Sequence, residues 1–437
     1  MIPKSEFGKM ETAWNEIFAK YGIAERVAED GSFAITASQI KEFREPRLMA
    51  KFDHRHDLPK VFSANGLGIL PVTRGTYSIG PYDLFAKLKP PEEAVPTSLI
   101  PFPDAIESIS ADGITSETVA LNCAFDAGVL ARFLGEERLL PTVAGRAGAR
   151  PFDFRIRSCD RKRVSTLSVN GAQIEVDGAY ESRNSLSLFE AKMHFDRDFI
   201  VRQLYYPFRH FSASGVTKPI RTIYLVYSSG MFDLSEYGFE DPFDYSSVKL
   251  LRSERYRLDS AGFSRGQLFA LLAESSVSPE PPDIPFPQAN SFERVVNLCE
   301  RLAAGPLSKS AIAACYGFDE RQSDYYLNAA IYLGLVRRDA LGRGSAVLSS
   351  DGAEMLRLPF RKRARFLAER LLRHEIFRRI LRMVMTRGAV PETAEIEPIL
   401  RETNPRLGAP GKDTFGRRAS TVRNWIKWLL EQTEPVS

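Results

Sequence analysis

The sequence predicts an α/β (α+β) protein: a core built on a mixed sheet, followed by a mainly helical C-terminal portion. Three observations carry this. Between residues 163 and 227, apolar and β-branched segments are interrupted by one helix-like stretch. Residues 278–287 hold five prolines, a density that excludes helix and central strand. Beyond them, apolar residues recur at helical spacing. The 437 residues are enough for two to four domains.

The first hundred residues are mixed. Met10–Tyr21 reads as an amphipathic helix, and Ile35–Arg47 as another, with Arg44, Arg47, Lys51 and Arg55 on or near it. Leu67–Tyr77 suggests strands around a loop, and Pro90–Pro103 a connector. Arg74 and Lys51 are placed to touch phosphate or a base, or simply to flank the core. Next, Ala124–Leu134 reads as a helix stopped by Gly135. Arg163–Val169 is a strand by its β-branched content. Asn170-Gly171 is a strong hairpin signal, because both turn residues need positive φ. Ile174–Glu181 and Ser185–Lys192 follow as strands joined by a polar turn. A helix comes after Lys192, with Phe199, Ile200, Leu204 and Phe208 as its apolar positions, and Ile220–Tyr227 is a strand of buried type.

Two of these strands carry the chemistry. Asp177 and Glu190 lie on neighbouring strands, and carboxylates held together repel unless a cation sits between them. Oxygen donors of this kind suit Mg²⁺. Lys192, two positions after Glu190, shares its strand face and can hold or activate a water. The pattern D-x(12)-E-A-K resembles the signature of the PD-(D/E)XK nucleases, and the order helix, three strands, helix, strand matches that family's core. The apolar neighbours Leu186, Leu188 and Phe189 place the motif in a core sheet rather than on a salt-bridged surface hairpin. Arg202–Pro207 looks like the Q-x-x-x-Y element of some members; Gln203 then orients the lysine or contacts DNA, or else is ordinary helix surface. Glu175, on the same strand face as Asp177, is a further ligand or a solvated position.

The resemblance implies a restriction-endonuclease-like core. Asp177, Glu190 and the Ala191 carbonyl would hold one or two Mg²⁺, and Lys192 would orient or deprotonate the attacking water. In-line displacement would leave a 5′-phosphate. A type II restriction enzyme of this kind cuts double-stranded DNA as a homodimer and works beside a DNA methyltransferase. Two other readings stay open: a structure-specific repair or recombination nuclease, and a DNA-binding regulator with an inactive nuclease-like domain.

The helical portion supports a DNA partner. Asn290 with Glu293 opens a helix carrying Phe292, Val295, Val296, Cys299 and Leu302. Ser308 caps a second helix that ends at Gly317. Asp319 with Gln322 opens a third, which packs Tyr326, Ala329, Ala330 and Leu333 inward. Its other face shows Arg321, Tyr325, Asn328 and Tyr332. Leu335–Arg338, the loop Asp339–Ser345 and Ala346–Leu348 form a hairpin, giving a winged-helix module whose third helix would enter the major groove. From Arg361 to Arg382 there are nine Lys/Arg and two acidic residues, an electrostatic footprint for phosphate. The last helix buries Val422, Trp425, Ile426 and Leu429 and lines its other side with Arg417, Arg418, Arg423, Asn424 and Lys427. Arg and Asn each make two hydrogen bonds to one base edge, so Arg423→Ala is expected to weaken cognate binding.

The expected organisation is therefore a mixed segment at 1–110 that recognises DNA or flanks the core, a nuclease-like domain at 111–277, a linker at 278–288, a winged-helix module at 289–358 and a second, Arg-rich helix-turn-helix module at 359–437. Composition is that of an ordinary globular protein, 44% hydrophobic and 26% charged. No run of about eighteen apolar residues predicts a membrane span, and Met1–Glu6 lacks a signal-peptide pattern. The four cysteines are scattered without a C-x-x-C pair, which argues against structural zinc or disulfides and fits a reducing cytoplasm. His54 and His56 are two positions apart, unlike a zincin motif, and His194 reads as a polar strand-end residue. A net charge of only +4 leaves DNA binding to local patches.

Overall fold

A computed structural model describes residues 4–433 apart from 89–96, 104, 112, 229, 260–263, 318, 340–344, 359 and 408–413. Most of the Asp339–Ser345 loop and part of the Pro90–Pro103 connector thus lie outside the described residues. The fold is mixed α and β, in two compact units: residues 1–109 with 115–258, and residues 110–114 with 259–437.

The first unit is built on a seven-stranded sheet. Its order is Thr97–Pro101, Val248–Asp259, Met231–Phe239, Ile220–Ser228, Leu186–Lys192, Gly178–Glu181, Leu140–Pro141. Leu186–Lys192 pairs antiparallel with Gly178–Glu181 and parallel with Ile220–Ser228. Parallel neighbours need a crossover, and helix Arg202–Ser212 supplies it. That helix and helix Glu117–Asp126 both lie against Leu186–Lys192. The strand is consequently buried without a break from Leu186 to Ala191, which explains a continuous apolar run where a one-sided strand would alternate.

Several boundaries differ from the sequence expectation. Ile174–Glu181 bends at Asp177: Gln173–Val176 pairs with Gly145–Gly148, and only Gly178–Glu181 joins the main sheet. Asn170-Gly171 does turn the chain, with Gly171 at φ 72°, but it is not a hairpin loop. Its preceding strand Val164–Val169 pairs with Phe152–Arg157 instead. The helix read at Ala124–Leu134 starts earlier, at Glu117, and is interrupted at Gly128, whose φ is 77°. After Lys192 the helix begins only at Arg202; Phe199 and Ile200 belong to a short strand, Asp198–Ile200, paired with Phe85–Lys87.

Helix Lys4–Tyr21 buries Met10, Trp14, Ile17 and Phe18 in a separate cluster with Phe62 and Ile79. Ile35–Arg47 is not one helix. Strand Phe33–Thr36 leads into helix Ala37–Lys41, and Thr36 closes the junction with a capping box to Gln39. The strands expected within Leu67–Tyr77 are Gly68–Pro71 and Thr76–Gly80, which pair with each other.

In the second unit, helices Phe292–Leu302, Lys309–Tyr316 and Glu320–Tyr332 precede the hairpin Val336–Arg338/Ala346–Leu348. Ser308 and Asp319 cap as expected, accepting from Ala311 N–H at 3.1 Å and Gln322 N–H at 2.7 Å. The first helix is capped by Ser291 rather than Asn290, whose amide oxygen takes the Thr421 hydroxyl at 2.9 Å. Helices Arg265–Glu274, Ser350–Arg357, Phe360–Leu371, Glu375–Arg387, Thr393–Thr403 and Thr414–Glu431 also belong to the unit. Buried residues from Leu268 to Leu429 form one cluster, so the two modules expected at 289–358 and 359–437 share a core. The proline-rich stretch is part of it: Phe286 is buried there, and Glu280 accepts from the Tyr332 hydroxyl at 2.7 Å. The break between units falls at Leu258/Asp259, ahead of those prolines.

Candidate active site

The bend at Asp177 turns its carboxylate across the sheet toward the end of the Glu190 strand. The Ala191 N–H donates to Asp177 Oδ2 at 2.8 Å. Lys192 Nζ donates to Glu190 Oε1 and, at 3.2 Å, to the Ala191 carbonyl. Asp177, Glu190, Ala191 and Lys192 are thus brought together, with the ammonium lodged between two of the oxygen donors expected to hold a cation.

Three further side chains enter from elsewhere. Glu117, at the start of its helix, lies 4.0 Å from Lys192 Nζ. Asp53 accepts from Gln203 Nε2 at 3.3 Å, and its charge acts on both Glu190 and Lys192. Lys51 adds positive charge near Asp53, Asp177 and Glu117. Gln203 therefore reaches the site through Asp53, and its buried Oε1 has no hydrogen-bond partner among the described residues. The spacing of the Q-x-x-x-Y element is not kept: Pro207 stands four after Gln203, and Tyr206 instead donates to the Pro71 carbonyl at 3.0 Å. Glu175 is exposed and paired with Arg146 at 3.1 Å, a solvated strand position.

Burial and charge shift Glu190, Asp177, Glu117, Lys192 and Asp53 at this strand end. Burial pushes the Glu190 carboxyl up to about 8, with Asp177 and Asp53 acting the same way against Lys192. Burial likewise raises Asp177 and Glu117. Burial works against the Lys192 ammonium, yet Glu190, Tyr224, Asp53 and Glu117 hold its pKa well above lysine's ordinary value. Asp53 is lowered despite burial, because Lys192, Lys51 and Arg202 surround it. The ammonium therefore stays charged. Carboxylate and carbonyl oxygens of this kind are the donors that a hard divalent ion takes.

Three families match the chain in series, each described only as a domain of unknown function. The chain is similar to DUF6996 over residues 11–79, to DUF6997 over 80–257 and to DUF7226 over 294–434. No curated protein and no solved structure matches it. The site straddles the first two: Asp53 and Lys51 come from the DUF6996-like span, and Glu117, Asp177, Glu190 and Lys192 from the DUF6997-like span.

The residues expected to read DNA all lie in the DUF7226-like span, and they divide. Arg321, Arg417 and Lys427 are exposed; Tyr325, Asn328 and Asn424 are half-buried. Arg418 is buried, and burial lowers its pKa, which corrects its expected place on the outer face. Arg423 is committed to the neighbouring helix start, donating to the Pro391 carbonyl at 3.1 Å and pairing with Glu392. Tyr332, also expected outside, is buried and stacked on His374 with ring centroids 4.0 Å apart.

Most of the basic run 361–382 is internally engaged as well. Arg363 donates to the Leu356 and Leu358 carbonyls, Arg370 pairs with Asp351, Arg378 donates to the Ser275 carbonyl, and Arg379 pairs with Glu375 and Glu402. No helix among the described residues is long and apolar enough to cross a membrane.

Proposed function

We propose that this chain is a Mg²⁺-dependent endonuclease for double-stranded DNA, of the type II restriction kind. The observation that carries this reading is the convergence of Asp177, Glu190, the Ala191 backbone and Lys192 at one strand end. The surrounding order also favours it: helix Glu117–Asp126, the strands Gly178–Glu181 and Leu186–Lys192, the crossover helix, then a parallel strand. It follows part of the order expected of a PD-(D/E)XK core, since Val164–Val169, the first of the three strands expected, pairs in a separate sheet. The three helices and hairpin of the second unit fit a winged helix.

Asp177, Glu190 and the Ala191 carbonyl would hold the ion, with Glu117 and Asp53 near enough to complete its charge balance. When bound, the ion polarises the phosphate and stabilises charge on the attacking and leaving oxygens. Lys192, held charged, acts first as a donor that orients the water; it becomes a base only if released from Glu190. Gln203 and Asp53 position Lys192. Cutting both strands calls for two such sites, hence a homodimer on DNA, and a restriction role calls for a partner methyltransferase.

One observation favours a second reading. Arg418 is buried and Arg423 and Arg378 are tied internally, so these basic side chains are not available for base readout. A structure-specific repair or recombination nuclease needs fewer. Plasmid cleavage with Mg²⁺ separates the cases. Discrete fragments are expected; nonspecific nicking favours the second reading, and tight binding without cutting points to a regulator.

Two subsidiary results are expected. Glu190 must lose its proton to take the ion. Mg²⁺ affinity should therefore weaken as pH falls below about 8, and calorimetry in two buffers of different ionisation enthalpy should show proton release near neutral pH. Because the folded carboxyl is raised from its ordinary 4.5, the cation-free protein should lose stability as pH rises through about 8. Glu190→Gln should remove both effects.

The second result concerns DNA affinity. Changing exposed Arg417 and Lys427 together to alanine should flatten the slope of log affinity against log salt by up to about 2, near 0.9 for each phosphate no longer neutralised. Arg423→Ala should instead cost about 1 kcal/mol of stability, because it removes hydrogen bonds at a helix start. Salt-dependent gel shifts and chemical denaturation measure the two.

A further inference from the structure

Beside the proposed active site lies a second cluster that the nuclease reading does not use. Segment Asp53–Asp57 meets residues 196–198, just past the Lys192 strand. His54, Asp196 and Asp198 are all buried. One ring nitrogen of His54 and one carboxylate oxygen from each aspartate lie within 4.8 Å of one another. His56 stacks parallel to His54 with ring centroids 5.4 Å apart and lies 3.8 Å from Asp196.

The tautomer of His54 follows from its partners. Its Nδ1 is 2.5 Å from the Asp198 backbone carbonyl. A carbonyl only accepts, so Nδ1 carries the hydrogen. In neutral His54 the Nε2 lone pair is then directed outward from that bond, and Nε2 stands 3.6 Å from Asp196 Oδ2. That is past hydrogen-bond length, and an imidazole lone pair facing a carboxylate oxygen is repulsive. A cation between them removes the repulsion. Ligands about 2.1 Å from a tetrahedral Zn²⁺ stand roughly 3.4 Å apart, close to the separation seen. A ring N–H held by a backbone carbonyl is also the usual way a metal-binding histidine is oriented.

We propose that His54, Asp196 and Asp198 bind one divalent ion of the zinc class, fastening segment 53–57 to the chain that follows Lys192. Mixed imidazole and carboxylate donors select such an ion over Mg²⁺. The site holds Asp53 where it faces Lys192 and Gln203. It stands independently of the nuclease reading, since its ligands and its test involve neither DNA nor cleavage. Cysteine spacing gives no hint of it, because the ligands are 144 positions apart.

The full chain, stripped with a chelator, is titrated with Zn²⁺ against a chromophoric competitor, and with Co²⁺ for visible ligand-field absorption. One retained equivalent per chain is expected, unaffected by millimolar-range Mg²⁺ and unchanged in Glu190→Gln. Losing an outer partner of a metal ligand costs roughly 10–100-fold in affinity, so losing a ligand should cost at least about 100-fold. His54→Gln and Asp196→Asn should show that loss, and Zn²⁺ should raise the thermal midpoint of the wild type only. Failure of the wild type to retain Zn²⁺ or Co²⁺ overturns the proposal. Equal retention by His54→Gln also overturns it. Should the variants not fold, the wild-type titration alone decides.

Discussion

Alanine at Lys192 or Glu190 is expected to lower Mg²⁺-dependent DNA cleavage by on the order of 10³-fold, with DNA affinity little changed. The magnitude follows from the several kcal/mol that a bound ion contributes to transition-state charge stabilisation, each 1.36 kcal/mol being a factor of about ten. The two variants should fail differently. Lys192→Ala removes the ammonium that now lies on Glu190 Oε1. The buried carboxyl left behind, already raised to about 8, can take up a proton instead of remaining as an unpaired charge. That variant should fold and bind DNA. Glu190→Ala leaves the ammonium with Glu117 at 4.0 Å and the charge of Asp53, so it should be the less stable of the pair; Glu190→Gln keeps the volume and serves as its control. Single-turnover cleavage measures the first effect and gel shift without Mg²⁺ the second. Wild-type cutting by either purified variant would remove Asp177, Glu190 and Lys192 from the chemistry.

The part of the site legible in the sequence was the part contained in one short segment. Asp177, Glu190 and Lys192 lie in adjacent strands, so alternation and a polar turn suffice to place them together. Asp53 sits in Lys51–Asp57, which has neither helical nor strand period, and its approach to Lys192 depends on the backbone pairing of Ile200 N–H with the Asp53 carbonyl at 2.8 Å. No local pattern encodes that. Glu117 was within reach: Ser116 is a good cap residue, and an acid just after a cap marks a helix start. Arg418 was also legible. It stands four before Val422, seven before Trp425 and eleven before Leu429, which is the buried stripe, but its charge assigned it to the wrong face. The break at Asp177 was hidden because Ile174–Tyr180 alternates as an unbroken strand would. The organisation of the second unit was obscured by the five prolines of 278–287, which suggest a spacer. In the fold, Glu280 and Phe286 fasten that stretch to helices far along the chain.

That shared core leads to the largest expected change in stability. Trp425→Ala should cost about 4 kcal/mol, within the range for large aromatic truncations in a core. Trp425 is fully buried. Its ring meets Phe292 edge-on at 4.9 Å and lies parallel to Phe377 at 5.7 Å, so two other helices converge on it. Its Nε1 donates to the Ala289 carbonyl at 2.7 Å, and that buried acceptor would be left unpaired. If 289–358 and 359–437 were independent modules, the damage would stay in the later one. With Phe292 of the first helix and Trp425 of the last in one cluster, both should unfold together. Denaturant unfolding followed by hydrogen exchange distinguishes these outcomes. Matched loss of protection in helices Phe292–Leu302 and Thr414–Glu431 is expected, while strands Leu186–Lys192 and Ile220–Ser228 of the other unit keep theirs. Protection retained in Phe292–Leu302 would mean that the helical unit is two domains after all.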